Sequence, residues 1–313
     1  MQVYKHINQY HSKEKSVLTI GTFDGVHKGH RQILKQLTRT AKCLKHQAIV
    51  LSFFPHPRMI LHPDSNVKLI DTVEEKIAKM KIFGIDHLII HPFSRNFSRL
   101  TADTFVSKYL VKKLNLSTII IGYDHRFGIN REANIDTLIE FGKKYHFKVQ
   151  IIPPQQVEDI SVSSTKIRKA LTTGDIKTAT AYLQKKYSVH GIVIEGDSLG
   201  RTIGFPTANV SILEDYKLLP QPGVYFVSCQ LDQTNYYGML NIGNRPTINQ
   251  IEEKNSIEVH LFDFNQSIYG KKLSIHFDQR IRDQIKFRGL SNLKDQLQKD
   301  KQHCLNMINS MRS

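Results

Sequence analysis

The chain of 313 residues contains three cysteines, no tryptophan and no long apolar run. Cys43, Cys229 and Cys304 lie far apart and form no C-x-x-C pair, which argues against a disulfide framework or a zinc knuckle. No stretch approaches the roughly 18 apolar residues that span a bilayer, and the first residues lack the apolar core of a secretory signal. We therefore expect a cytoplasmic protein without a membrane segment.

Several sequence patterns of metal and nucleotide sites are also absent. The fifteen histidines form no H-E-x-x-H motif or Cys/His cluster, so we expect no transition metal. The P-loop pattern G-x-x-x-x-G-K-[ST] does not occur, and the first glycine-rich turn lacks the G-x-G-x-x-G dinucleotide fingerprint. A phosphate site in this chain must therefore be built in another way. The length allows two domains, and the 40% hydrophobic content is typical of globular proteins.

Acidic residues are scarce in the first part of the chain. Residues 1–186 contain 30 Lys and Arg against 15 Asp and Glu, whereas residues 187–313 contain 14 against 13. A basic field concentrates anionic substrates such as ATP, and it would also suit a nucleic acid. The basic residues lie along predicted helices and do not alternate regularly with aromatic residues, so we interpret most as solvated helix faces and expect no specific nucleic-acid partner. Examples are Lys76, Lys79, Lys81, Lys108, Lys112 and Lys113.

Strand and helix patterns alternate over the first part. Short apolar runs predict strands at 17–22, 48–54, 87–92, 118–123 and 148–153, and helical periodicity predicts helices at 30–46, 72–83, 101–114 and 132–146. This alternation predicts an α/β, Rossmann-like domain with a parallel sheet and helices on both faces. Ligands of such sheets bind at the carboxyl ends of the strands. The loops at 21–30, 55–57 and 122–128 should therefore converge on one crevice.

The first of these loops carries the most informative motif. Residues 21–30 read G-T-F-D-G-V-H-K-G-H, between an apolar strand and an amphipathic helix that we expect to begin near His30. Backbone N–H groups and the positive end of the helix dipole favour a phosphate there. The imidazoles of His27 and His30 add hydrogen-bond donors that can stabilise a phosphoryl group in a transition state. A lone histidine in a turn is usually a solvated surface residue, but this pairing favours a phosphate site.

The pattern changes after residue 186. Two short helices are predicted at 164–171 and 175–185, and then strand-like runs follow at 187–195, 223–231, 235–243, 256–264 and 271–282. Closely spaced strands without intervening helices predict a small antiparallel barrel, and an amphipathic helix at 290–308 ends the pattern. We place the boundary between the two domains near residue 186, which gives domains of 1–186 and 187–313.

A second glycine-rich segment lies in the predicted barrel, at residues 196–209. Thr207 and Asn209 offer oxygen ligands two residues apart, which suit Mg²⁺. An ordinary hairpin that ends in Thr-x-Asn explains this composition equally well.

The two motifs together resemble a known family. G-x-F-D-G-V-H-x-G-H is similar to the motif of the H-x-G-H nucleotidyltransferases, and G-R-T-I-G-F-P-T-A-N at 200–209 resembles the riboflavin kinase signature. In this order, they make nearly the whole chain resemble the bacterial bifunctional riboflavin kinase/FAD synthetases. Further matches lie at 223–225, 241–247, 258–260, 268–270, 280–282 and 286–287.

The resemblance implies two reactions. The barrel domain would transfer the γ-phosphoryl group of ATP to riboflavin, which gives FMN, and the first domain would transfer AMP from ATP to FMN, which gives FAD and pyrophosphate. It implies Glu258 as the general base, Thr207 and Asn209 as ligands of Mg²⁺, and His27 and His30 as catalytic residues. The implied ATP- and phosphate-binding residues are Gly21, Phe23, Asp24, Gly29, Asp124, Ser164, Thr165, Arg168, Gly200, Arg201, Gly204 and Pro206.

The chain departs from the family pattern at two positions, and two other functions compete with this hypothesis. His125 stands where the family commonly has Phe, and Ala133 stands where Gly is usual; a positive φ at 133 would strain the alanine. The alternatives are another H-x-G-H adenylyltransferase with an attached barrel, and a basic nucleic-acid-binding protein. The riboflavin kinase signature argues against the first, and both phosphate motifs argue against the second.

Overall fold

The computed structural model describes residues 1–122, 126–129, 132–152, 162–196, 199–245 and 254–312. Within this range the chain divides into two compact units, Met1–Ser164 and Thr165–Ser313. The division falls earlier than the boundary near residue 186 that the sequence suggests.

The first unit contains a parallel sheet. Its strands are β1 Gln2–Tyr4, β2 Ser16–Ile20, β3 Gln47–Phe53, β4 His87–His91, β5 Leu116–Gly122 and β6 Lys148–Ile152. Their order is β1-β4-β3-β2-β5-β6, and every pairing is parallel. The predicted sheet is confirmed, with the three-residue strand β1 as an addition. Strands β3, β2 and β5 are neighbours, so the three loops expected to converge leave the same edge of the sheet.

Helices cover both faces of this sheet. They are α1 Lys28–Leu44, α2 Pro57–Leu61, α3 Val73–Lys81, α4 Arg95–Ser98, α5 Ala102–Thr104 and α6 Ile135–Tyr145, with a π-helix at Phe105–Lys113 and 3₁₀ turns at Ile7–Gln9 and Pro63–Ser65. Alternate residues of β2 enter two separate cores: Val17 packs with Leu34 of α1, and Leu18 packs with Phe105 on the opposite face. This alternation is the two-sided burial that a parallel sheet requires.

The second unit is a closed antiparallel barrel with helices around it. Its strands are β7 Ser188–Ile194, β8 Ala208–Ser211, β9 Gly223–Leu231, β10 Thr234–Arg245, β11 Lys254–Leu261 and β12 Lys272–Arg282, in the order β10-β11-β8-β7-β12-β9. Its helices are α7 Ser164–Thr172, α8 Ile176–Leu183, α9 Leu199–Thr202 and α10 Leu290–Arg312. The predicted barrel and terminal helix are confirmed. Strand β8 is an addition, because no separate strand was predicted between residues 195 and 223.

Contacts with the barrel explain why α7 and α8 belong to the second unit. The carbonyl of Leu171 accepts a hydrogen bond from the backbone N–H of Gln221, which precedes β9. At Gly174, between the two helices, an added Cβ would lie 2.5 Å from Cδ of Arg280 in β12. A side chain at position 174 would therefore push Arg280 away, and glycine permits the close approach.

Helix α10 is held against the barrel by apolar packing and by one buried ion pair. Cys304 and Ile308 pack with Phe226 and Met239 of the barrel wall. Asp300 of α10 is buried, and its carboxylate accepts hydrogen bonds from Nε and Nη2 of Arg282 at the end of β12, at 2.7–3.1 Å. The pair fixes the helix beside the last strand.

Replacing Arg282 with Met should lower the free energy of unfolding of the second unit by about 3–5 kcal/mol, because it leaves a buried carboxylate without its cation. Urea unfolding of the full chain measures this loss. Lys271→Met is the matched control, because Lys271 forms an exposed ion pair with Asp232; exposed pairs contribute only about 0–1 kcal/mol. Equal losses in the two variants would contradict the role given to the buried pair.

Candidate active sites

The first candidate site is the turn between β2 and α1. Phe23 and Val26 have positive φ angles of 48° and 42°, and both are buried. Non-glycine residues adopt this conformation rarely, so the surrounding packing must impose it. At Gly21 an added Cβ would lie 3.1 Å from the ring of Phe23, which makes the turn tight. Gly21 and Phe23 therefore shape the turn that leads into α1.

Asp24 ties this turn to the segment before α3. Its carboxylate is buried and accepts hydrogen bonds from the backbone N–H groups of Ile70 and Asp71, each at 3.1 Å. Its own carbonyl accepts a hydrogen bond from Oγ of Ser164 at 2.9 Å. The structure thus brings Asp24 and Ser164 together, with Asp24 in a supporting position.

His27 and His30 form a stacked pair at the start of α1. Their ring centroids are 3.7 Å apart, with 21° between the ring planes. His27 is the N-cap, and its Nδ1 accepts a hydrogen bond from the backbone N–H of His30 at 3.4 Å. Helix α1 therefore begins at Lys28, slightly before the predicted start near His30. Gly29 is buried in the first turn, between the two histidines in sequence.

Burial keeps both imidazoles neutral near pH 7. It lowers the pKa of His27 from 6.5 to about 4. The pKa of His30 is well below its usual value, first because of burial and then because of the nearby His27 and Lys76. Because Nδ1 of His27 accepts a hydrogen bond, its proton lies on Nε2, which is then a donor. The pair can act by hydrogen bonding without a formal charge.

Lys76, beside this candidate site, is an exception to the solvated helix faces that the sequence predicts. It was assigned to a solvated helix face, but only 3% of its surface is exposed. Its Nζ lies 3.5 Å from Oγ of Ser52, near the carboxyl end of β3. Hydrophobic periodicity identifies the apolar residues that a helix buries, but it does not show that a lysine is buried. The sequence therefore contains no indication that Lys76 is buried.

The second candidate site lies on the wall of the barrel. In the register of the sheet, Asn209 of β8 is opposite Glu258 of β11, which is opposite Asn241 of β10. Directly paired residues project to the same face of a sheet. This places one carboxylate between two amides across three adjacent strands. Ile257 and Val259, the neighbours of Glu258, are buried and project to the other face.

The glycine-rich segment packs closely against this row. An added Cβ at Gly196 would lie 1.9 Å from Nδ2 of Asn209, and one at Gly200 would lie 2.2 Å from the carbonyl oxygen of Phe205. Neither position has room for a side chain. The Cβ added at Gly200 would also lie 3.4 Å from Oγ1 of Thr207. The segment therefore lies close to both predicted magnesium ligands, Thr207 and Asn209. Gly204 has a φ of 83°, a left-handed turn that favours glycine.

Two further contacts hold the site residues. Nδ1 of His260 donates a hydrogen bond to the carbonyl of Pro206 at 2.8 Å, next to Thr207. Nε2 of Gln284 donates to Oδ1 of Asn241 at 3.0 Å and to the carbonyl of Ile242 at 2.9 Å. Gln284 was not predicted, because its contact depends on where the chain turns after β12.

The remaining predicted residues fall elsewhere. Arg201 lies exposed on α9, and Thr165 and Arg168 lie on α7 in the second unit. Asp124 and His125 lie outside the described residues. Ala133 forms an antiparallel bridge with Phe127 and is not among the residues with positive φ, so the strain considered for it does not arise.

Two kinds of structure are absent from the described residues. No helix there is long and apolar enough to cross a membrane. No group of three or more His, Cys, Asp or Glu side chains in the same ranges is placed to hold a metal ion.

Two family models match successive parts of the chain. The family model of FAD synthetase matches residues 9–166, and that of riboflavin kinase matches residues 183–308. The bifunctional riboflavin kinase/FMN adenylyltransferase of Listeria monocytogenes is 38% identical over 287 residues, which cover 91% of this chain and 90% of that protein. The protein of the same name from Bacillus subtilis is 37% identical over 302 residues, which cover 95% and 94%.

A solved structure shares the fold. The crystal structure of a protein from Streptococcus pneumoniae, named as a macrolide-efflux protein, has a TM-score of 0.87 at 34% identity, covering 97% of this chain and 98% of that chain. The efflux activity in that name is a statement about the pneumococcal protein alone. The family models match both halves in order, and the named relatives match at more than a third identity over nine-tenths of the chain or more. The chain therefore belongs to the family of bifunctional riboflavin kinase/FMN adenylyltransferases.

Proposed function

We propose that the two reactions of this family take place at two separate sites on this chain. The protein phosphorylates riboflavin with ATP to give FMN and then adenylylates FMN with ATP to give FAD and pyrophosphate. We assign adenylyl transfer to a domain of residues 1–186 and phosphoryl transfer to a domain of 187–313. The observation that carries this assignment is that each half has its own core and its own candidate phosphate site.

In the first site, the phosphates of ATP would bind at the N-terminus of α1, beside His27 and His30. An oxygen of the FMN phosphate attacks the α-phosphorus, the bond from that phosphorus to the bridging oxygen breaks, and pyrophosphate leaves. Neutral imidazoles can donate N–H groups to oxygens on which negative charge increases. Gly29 lies in the first turn of α1, and Asp24 holds the turn before the helix. The family resemblance adds Gly21, Phe23, Asp124, Ser164, Thr165 and Arg168 as phosphate-binding residues.

In the second site, Glu258 would accept the proton of the ribityl hydroxyl of riboflavin as its oxygen bonds to the γ-phosphorus of ATP. The bond between the β,γ-bridging oxygen and that phosphorus breaks, and ADP leaves. Thr207 and Asn209 fit Mg²⁺, because their side-chain oxygens are hard donors two residues apart in the chain, and Asn209 is paired with Glu258 in the sheet. When bound, Mg²⁺ neutralises phosphate charge. Gly200, Arg201, Gly204 and Pro206 would surround the phosphates.

The cellular setting is a further proposal. All three cysteines are free, and Cys229 and Cys304 are buried, which suits the reducing cytoplasm. We propose that the basic excess of residues 1–186 attracts ATP and FMN, since both substrates are anionic, and that no specific nucleic acid binds.

Replacing His30 with Ala should reduce FAD formation from supplied FMN by about 10²–10³-fold, the typical effect of removing one preorganised donor. Phosphorylation of riboflavin should stay unchanged, because Glu258 and Asn209 are untouched. Chromatography of the flavin products measures both reactions in one sample. FAD synthesis at a near-normal rate by folded His30→Ala protein would contradict the assignment.

The Glu258→Ala and Asn209→Ala variants should show the reverse pattern. Loss of the base or of a magnesium ligand should lower FMN formation at least about 10²-fold, since general-base catalysis alone typically contributes this much. Supplied FMN should still be adenylylated. Glu195→Ala, which removes an exposed carboxylate beside the glycine-rich segment, is the control and should keep both activities. Loss of both reactions in folded Glu258→Ala protein would exclude separate sites.

The buried His27 should make the first unit sensitive to acid. The folded chain protonates His27 only near pH 4, whereas the unfolded chain does so near pH 6.5. Between these values the unfolded state binds more protons, so the free energy of unfolding falls as the pH is lowered through this window. One such group contributes a slope of about 1.4 kcal/mol per pH unit.

The His27→Asn variant retains a side-chain acceptor at the N-cap and should flatten this slope. Urea unfolding at pH values from 7 to 4 measures it, and the exposed His11→Asn variant should follow the wild type. Parallel curves for wild type and His27→Asn would show that His27 is not buried as a neutral group.

A further inference from the structure

Lys76 is a buried cation that the two reactions, as assigned above, do not use. It lies in the first turns of α3, which begins after a capping box formed by Thr72 and Glu75. The start of the helix is thereby fixed, and Lys76 is directed inward with 3% of its surface exposed. Lysine is rarely buried to this extent unless its charge is compensated.

The hydrogen bonds of Lys76 are incomplete for an ammonium group. Nζ carries three N–H donors. Within the described ranges it makes one hydrogen bond, to Oγ of Ser52 at the long distance of 3.5 Å. Oγ of Ser52 in turn donates to the carbonyl of Thr22, in the turn before α1, at 3.2 Å. A buried donor without a full set of acceptors is costly, so this group has capacity for a further acceptor.

Two nearby carboxylates favour the charged form of Lys76. Burial lowers its pKa, while Asp24 and Asp71 raise it. Asp24 directs its carboxylate to two backbone N–H groups, and Asp71 forms an ion pair with Lys79. Each carboxylate nevertheless has another partner at hydrogen-bond distance.

The field of Lys76 reaches His30. Its ammonium is one of the three causes that lower the pKa of His30, after burial and His27. Both histidines are neutral near pH 7, so they supply hydrogen bonds but no formal positive charge. The pyrophosphate leaving group gains negative charge as the α-phosphorus–oxygen bond breaks, and a cation fixed beside it would stabilise that charge.

We propose that Lys76 is a buried cation of the adenylyltransferase site and that its ammonium stabilises the ATP phosphates bound at His27 and His30. It does so from α3, in a domain that has no P-loop lysine. This inference rests on the proposed location of adenylyl transfer at the histidine pair.

The Lys76→Met variant tests the proposal, because methionine keeps an unbranched chain and removes the charge. The rate of FAD formation from supplied FMN should fall about 10²-fold, and the effect should lie mainly in kcat because the charge develops in the transition state. Phosphorylation of riboflavin by the same molecules should be unchanged. Lys76→Arg should recover at least a tenth of the lost rate. Lys81→Met removes an exposed charge from the same helix and should stay within twofold of wild type.

A purely structural role gives a different result. It would lower the thermal midpoint of Lys76→Met while the kcat of the folded fraction stays within about threefold of wild type, and this outcome would overturn the proposal. If His30→Ala loses FAD synthesis and Lys76→Met does not, only the inference about Lys76 fails. If His30→Ala itself remains active, the location of the site fails.

A second measurement applies if Lys76→Met does not fold. The ¹⁵Nζ resonance of Lys76 in the wild-type chain, assigned by its absence from Lys76→Arg, should shift when α,β-methylene-ATP binds. Riboflavin alone should leave it unchanged. A resonance that does not respond to the nucleotide would overturn the proposal.

Discussion

The first site depends on the carboxylate of Asp24. By accepting hydrogen bonds from the backbone of Ile70 and Asp71, it joins the turn after β2 to the segment that begins α3. The turn holds His27 and His30 at the start of α1, and α3 carries Lys76 toward them. Without this connection, the histidine pair and the buried ammonium would belong to independent segments. A carboxylate beside a phosphate site would repel its ligand if it were unpaired; here its lone pairs are directed to backbone donors.

The second site depends on strand register. Asn209, Glu258 and Asn241 come from three parts of the chain, and only the pairings β8–β11 and β10–β11 bring them into one row. A slip by one residue would send Glu258 to the opposite face, where Ile257 and Val259 now lie. Glycines at 196 and 200 allow the preceding segment to approach this row. The two candidate phosphate sites are therefore built on different elements. The first lies at a helix N-terminus, and the second lies on the wall of the barrel.

Most of the architecture could be predicted from the sequence, because the period of the apolar residues in a long segment shows whether it is a helix or a strand and which face is buried. Strands β2 to β6, the barrel strands other than β8, and helices α1, α3 and α6 to α8 were all anticipated within a few residues. The short strands β1 and β8 were missed, since three or four residues hardly establish a period. The helix expected at 101–114 is a short α5 that continues as a π-helix, a distinction in hydrogen bonding that side-chain periodicity does not encode.

The sites were predicted less completely, for a physical reason. Motifs identify candidate residues within one segment, such as His27 and His30, but a candidate site also contains residues from other segments. Lys76 lies near Lys79 and Lys81 in the sequence, a pattern typical of a solvated helix face. Only the packing of α3 shows that Lys76 is buried. The motif predicts Asp24 as a phosphate-binding residue. Only the position of the segment at 70–71 shows that its carboxylate accepts hydrogen bonds from that backbone. Gln284 likewise depends on a contact with β10.

In the proposed function, FMN made at one site is used at the other. Mixing two variant proteins tests it most directly: Glu258→Ala, which should lack the kinase, and the double variant His27→Ala/His30→Ala, which should lack the adenylyltransferase. With riboflavin, ATP and Mg²⁺, neither protein alone should form FAD. The mixture should form it after a lag, during which FMN accumulates and diffuses from one molecule to the other. A mixture of folded proteins that makes no FAD, even when FMN is also supplied, would contradict the account.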